Sequence, residues 1–183
     1  TELAMRCLKE AGSSATLLPV GVDPFWGNYR DDGTMTPYLL TVADNQIRKN
    51  IPEGMEAVAR VIEAHTDVDM YYVIVTTANA RLGWDLGSLT HRVGMDDARL
   101  VLLDQTQVNR SRLAELYRNA LCLVQPSLAE GIGLPLYEAQ ACGCPVLITE
   151  HTGGAEAVRI GDTIKVGRKT IYPLGDMNHY WPD

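Results

Sequence analysis

Between Pro126 and Glu138 the chain reads P-S-L-A-E-G-I-G-L-P-L-Y-E, with seven residues between the carboxylates Glu130 and Glu138. Gly131 and Gly133 follow the first acid, and an apolar, helix-like run carries the second. Glycines let a backbone turn sharply and let a ligand approach it closely. Pro135 suits a first helical turn, where its missing N–H costs nothing. The free N–H groups of Ile132, Gly133 and Leu134, with the dipole of the helix that follows, then form an anion site. A carboxylate on either side can accept hydroxyl hydrogen bonds, and charge-assisted bonds are roughly twice as strong as neutral ones. A phosphorylated, hydroxyl-rich ligand fits this pattern: Glu130 on the loop for sugar hydroxyls, Glu138 on the helix for a ribose. The alternative from the residues alone is a Gly-rich turn with two solvated glutamates near a helix start.

The elements that must position this segment alternate along the chain. Helical spacing is expected over 2–11, 52–65, 84–92, 110–119, 134–142 and 154–159. Short apolar runs predict strands at 16–20, 38–42, 71–75, 99–103, 121–124 and 146–148. Residues 27–37 read as a polar loop. Strand–helix alternation predicts βαβ units, hence an α/β, Rossmann-like, doubly wound parallel sheet with helices on both faces. In such sheets ligands bind beyond the carboxyl ends of the strands. The loops starting near Ala43, Thr76, Asp104, Gln125 and Thr149 lie there, and the paired-glutamate segment is one of them.

Composition narrows the class. The 183 residues suffice for a domain with a core, and 46% are hydrophobic. No stretch approaches the roughly 20 apolar residues that span a membrane. The net charge of −7 argues against a broad nucleic-acid surface, though a small phosphate site needs only one or two cations. Cys7, Cys122, Cys142 and Cys144 lack C-x-x-C spacing and read as buried, reduced thiols. His65, His91, His151 and His179 lack metal-ligand spacing. His151, close to the loop after the 146–148 strand, is kept as a weak candidate.

The run P-S-L-A-E-G-I-G-L-P-L-Y-E-A-Q-A-C-G-C-P-V resembles the donor-binding signature of retaining glycosyltransferases of the GT-B fold, family 4. L-P-V-G-V-D at 18–23, I-R-K-N at 47–50, L-A-E-L-Y-R-N-A at 113–120 and G-G-A-E at 153–156 resemble further family segments in the same order. The resemblance spans about residues 16–166. It implies one domain of a GT-B enzyme, with 1–15 a helical tail from a preceding domain and 16–183 a nucleotide-sugar-binding domain. It implies a nucleoside diphosphate sugar, a UDP-sugar by family habit, as the substrate, with no metal or other cofactor. Glu130 would contact the donor sugar and Glu138 the ribose. The amides from Gly131 to Leu134 would face the sugar and distal phosphate, and Lys49 would bind the diphosphate and aid its departure. Val108 would meet the base through its backbone, and Leu113 would pack on the base's other side.

Val42-Ala43-Asp44 stands where the family often has V-G-R. The usual phosphate-binding arginine is therefore absent, and Arg48 is the nearest substitute. Ile132 replaces the usual Phe. The whole enzyme is expected to transfer a hexosyl group with retention to a hydroxyl acceptor held by an N-terminal domain that this chain lacks, and the isolated chain to be inactive or weakly active. A cytoplasmic location is expected, with peripheral membrane attachment through the missing domain. Two alternatives stay open: a glycogen-, sucrose- or trehalose-synthase-type transferase domain, and a non-catalytic nucleotide-sugar-binding module.

Overall fold

The structure, a computed structural model, describes residues 2–27, 37–77, 83–95, 98–150 and 153–165. Six strands form one parallel sheet: β1 (Tyr38–Val42), β2 (Tyr71–Thr76), β3 (Leu100–Asp104), β4 (Cys122–Gln125), β5 (Val146–Thr149) and β6 (Gly161–Ile164). Their order is β3-β2-β1-β4-β5-β6, so the winding reverses between β1 and β4. The helices are α1 (Glu2–Glu10), α2 (Ile51–Ala64), α3 (Leu86–Val93), α4 (Arg110–Asn119) and α5 (Leu134–Ala141). This is the expected α/β Rossmann-like sheet.

Alternation along the strands divides the core into two layers. Val73 and Val75 of β2 face one side with Leu40, Leu123, Leu116, Tyr117, Leu136 and Trp26. Tyr72 and Ile74 face the other with Ile51, Met55, Val58, Leu86 and Leu89. Successive strand side chains point to opposite faces, so a strand covered on both faces must be apolar throughout. The side chains of β2 are buried at five of its six positions.

The β1–β2 ladder registers five residue pairs from Tyr38↔Tyr71 to Val42↔Val75. The β1–β4 ladder registers two, Leu39↔Cys122 and Leu40↔Leu123. Past that point buried side chains join the diverging strands. Thr41 Oγ1 donates to the Val124 carbonyl at 2.7 Å, and Gln125 Nε2 donates to the Val42 carbonyl at 2.6 Å. The reversal of strand order thus falls between β1 and β4, and it is at the carboxyl ends of such strands that open α/β sheets form the crevice that holds ligands.

Several expectations are corrected. Residues 16–20 form no strand: they pair with nothing, and Leu18 is 81% exposed. The apolar run forms no ladder with either edge strand, β3 or β6. The 154–159 helix is a 3-10 segment, Gly153–Ala157. The strand β6 was not expected; Gly161 and Asp162 hide it from apolar periodicity, and its pairing to β5 reveals it. Most of the 27–37 loop, together with His151 and His179, lies outside the described residues. Among the described residues no helix is long and apolar enough to cross a membrane.

Candidate functional site

The crevice is built by the loops that leave β1 and β4. The first runs into a 3-10 turn, Ile47–Lys49, closed by Asn50 in the left-handed region (φ 55°), whose N–H donates to Ile47 O at 3.0 Å. Asn tolerates that conformation better than other non-glycine residues. α2 follows, with Pro52 in its first turn. The second loop runs from Pro126 to Gly133. The two are stitched where Leu128 N–H donates to Arg48 O at 2.8 Å.

This stitching sets Lys49 against Glu130. The ammonium lies 2.6 Å from Oε2, with the side chains 7% and 8% exposed. Arg48 Nη1 stands 3.4 Å from the same oxygen and donates to Ala129 O at 3.2 Å, and its Nε donates to Gln46 at 3.0 Å. Two residues read as binding different parts of a ligand therefore touch each other. Burying charge is costly unless it is paired, so each of Lys49 and Glu130 makes the other's burial possible.

α5 begins beside Glu130. Gly133 precedes it at φ 71°, ψ 68°. A Cβ there would stand 2.8 Å from Leu136 Cδ1 and 3.1 Å from Glu130 Cγ. Gly131 differs from expectation: its φ lies outside the left-handed region and a Cβ there meets open space, so its angles do not require glycine. The exposed Ile132 and Leu134 flank Gly133. First-turn N–H groups of a helix lack acceptors one turn back; here Pro135 has no N–H and the Leu136 N–H donates to Gly133 O at 2.9 Å, so Gly133 and Leu134 carry the N–H groups left at the start of α5.

Glu138 lies one turn into α5, half-buried, and accepts a hydrogen bond from Tyr117 at 3.0 Å. Burial raises its pKa above the usual carboxylate value, while the Tyr117 hydroxyl and the Arg110 charge pull it back. The structure thus brings Lys49, Arg48, Glu130 and the start of α5 to one crevice, with Glu138 on the same helix. Val108 and Leu113 are half-buried and pack against the main core. The Val108 N–H donates to Gln105 O at 3.3 Å. Exposed Asp44 accepts a hydrogen bond from Thr77 Oγ1 at 3.4 Å.

Two supports were not singled out as site residues. Tyr117, a buried residue of α4, is the partner of Glu138. Gly154 lies behind Glu130: a Cβ there would stand 2.7 Å from Leu136 Cδ1 and 2.8 Å from Ile148 Cδ1. Its neighbour Gly153 donates its N–H to Glu130 O at 2.9 Å. The G-G pair at 153–154 was the available signal.

Residues 101–168, which include the whole paired-glutamate segment, match the family model "Glycosyl transferases group 1". This segment is that of a group 1 glycosyl transferase. It is 36% identical over 126 residues to a D-inositol 3-phosphate glycosyltransferase of Arthrobacter sp. (strain FB24), covering 69% of this chain and 29% of that protein. It thus spans under a third of the length of the curated relatives that it matches first. Among solved structures it resembles the C-terminal domain of a group 1 family glycosyl transferase from Francisella tularensis, with TM-score 0.64 and 23% identity, covering 80% and 81% of the two chains. It also resembles WaaG, a glycosyltransferase involved in lipopolysaccharide biosynthesis, with TM-score 0.58 and 24% identity, covering 70% of this chain and 33% of that one. The group 1 match places the paired glutamates in a glycosyltransferase domain of the GT-B type.

Proposed function

We propose that this domain binds a nucleoside diphosphate sugar, with a UDP-sugar as the first choice, and forms the donor half of a retaining transferase that moves a hexosyl group to a hydroxyl acceptor. The observation that carries the reading is the Lys49–Glu130 pair at the sheet's switch point, beside the N-terminus of α5. A cation, a buried carboxylate and the start of a helix stand together where open sheets hold ligands.

In this reading the α5 amides and Lys49 take the diphosphate, and Arg48 stands in for the absent arginine. Glu130 takes the sugar hydroxyls that replace Lys49 as its partner, and Glu138 takes the ribose. As the bond between sugar and diphosphate breaks, negative charge gathers on the leaving oxygen. Fixed positive groups aimed at that oxygen stabilise the charge without reorganising. Glu130 is a positioning group, and no side chain is assigned as a nucleophile. The acceptor site belongs to a further domain of the whole enzyme.

Calorimetry of this chain with UDP, GDP and ADP tests the reading. Saturable binding of one of them at micromolar to millimolar concentration is expected. Absence of heat with all three at millimolar concentration overturns it.

A further inference from the structure

One group of side chains reaches Glu138 from outside the crevice. Asp23, Phe25 and Trp26 form a strap that precedes β1. Asp23 Oδ2 holds the Arg110 guanidinium at 2.6 Å, and Asp23 Oδ1 accepts from the Phe25 N–H at 2.9 Å. That guanidinium stacks 4.4 Å from the Phe25 ring centroid and 5.1 Å from that of Trp26. Trp26 is almost wholly buried and packs edge-on against Tyr117, with centroids 5.8 Å apart. Its carbonyl accepts from Cys142 Sγ on α5 at 3.2 Å. Tyr117 in turn donates its hydroxyl to Glu138 Oε2.

The chemistry of each link fixes its direction. Tyr117 is fully buried, and burial followed by the nearby Glu138 carboxylate holds its pKa well above the usual phenol value, so it stays protonated and acts as a donor. Glu138 has one oxygen committed to that donor. Among the described residues no hydrogen bond reaches the other oxygen. The groups facing Glu138 are Tyr117 and Arg110 from α4 and Cys142 from α5. Burial also raises the Cys142 pKa, so the thiol faces Glu138 uncharged. Only Tyr117 and Arg110 favour the ionised carboxylate.

We propose that Tyr117, held in place by the Asp23–Trp26 strap that Arg110 clamps, is a positioning residue that keeps Glu138 ionised and oriented with one oxygen open to the ligand. This rests on the nucleotide reading for the identity of the ligand, but not for the control of Glu138 itself. A half-buried carboxylate deprived of these groups takes up a proton and turns from acceptor to donor.

The experiment is a carboxyl-carbon NMR titration of Glu138 in the wild-type chain, Y117F and R110Q, with its signal assigned through E138Q. UDP affinity is measured alongside across the same pH range. Y117F is expected to move the Glu138 midpoint to higher pH, to move the acid limb of UDP binding with it, and to weaken UDP at neutral pH by about tenfold. R110Q releases Asp23 and the stacking on Phe25 and Trp26 while leaving the Tyr117 hydroxyl in the chain; it is expected to give a smaller, salt-sensitive shift in the same direction, reversed in R110K. An unmoved midpoint in both variants overturns the proposal, and R110Q decides it should Y117F fail to fold. A moved midpoint in a chain that binds none of UDP, GDP and ADP upholds the control of Glu138 and removes the nucleotide reading.

Discussion

Lys49 Nζ and Glu130 Oε2 lie 2.6 Å apart, on the two loops that flank the switch in strand order, with both side chains more than nine-tenths buried. The pair does two things at once. It neutralises a carboxylate beside an anion site, and it ties together loops whose strands have parted. A ligand that takes the lysine must also satisfy the glutamate, since an unpaired buried charge costs several kcal/mol.

Lys49→Met is therefore expected to destabilise the chain by about 3 kcal/mol, the low end for breaking a buried pair, because Arg48 remains near the orphaned carboxylate. Glu130→Gln orphans the ammonium instead. The double variant should cost less than the sum of the two, by about 1 kcal/mol or more. Urea unfolding of the four chains measures this coupling, and additive costs would show that the pair contributes nothing as a pair.

Glu138→Gln keeps an oxygen for the Tyr117 hydroxyl and removes only the charge. Stability should change little. UDP affinity should fall by about 1–3 kcal/mol if the carboxylate holds the ribose. Calorimetry reads both the loss and its size, and an unchanged affinity removes that role.

Much of the fold was legible where local pattern and burial agree. β1 and α4 occupy the expected residues, since a continuous apolar run and a helical face each demand one partner. Residues 16–20 show the limit: an apolar run becomes a strand only if the chain lays it alongside a sheet edge, and this one pairs with neither β3 nor β6. β6 shows the converse, a polar segment made into a strand by the backbone of β5. The glutamate segment was legible as a site because glycine, proline and acid spacing carry the chemistry locally. The contact of Lys49 with Glu130 was not, because 81 positions separate them and only the sheet order brings their loops together. Tyr117 is a core residue of α4; the hydroxyl at its tip adds a polar role that helical periodicity cannot display.

The raised pKa of Glu138 has a signed consequence. The folded state holds that proton more tightly than the unfolded chain does. Its contribution to stability is therefore present at low pH and lost as pH rises through the folded pKa. Ligand binding runs the other way, because the ribose needs the ionised form. UDP affinity should decline on acidification at a higher pH than an ordinary carboxylate would give. UDP's own phosphate also titrates in mildly acidic solution, so the quantity to measure is the difference between wild type and Glu138→Gln. A difference that stays constant across the acid range would contradict the assignment.

The glycines around Glu130 make opposite predictions. Gly133 has a left-handed backbone, and a Cβ there crowds both Leu136 and Glu130. Gly154 has no such backbone, but a Cβ there would press on Leu136 and Ile148. Gly133→Ala and Gly154→Ala are each expected to cost about 1–3 kcal/mol. In both, the displaced Leu136 or Glu130 should also weaken nucleotide binding. Gly131 has neither constraint, and Gly131→Ala should leave unfolding within about 0.5 kcal/mol of the wild type, the range of ordinary surface changes. Its effect on the ligand is the informative part. If the open space beside Gly131 is where a sugar or phosphate approaches the backbone, the added methyl will weaken nucleotide-sugar binding while the melting curve stays in place. Equal affinity in Gly131→Ala and wild type would move the ligand away from that turn and leave Gly133 and Gly154 as supports for Glu130 alone.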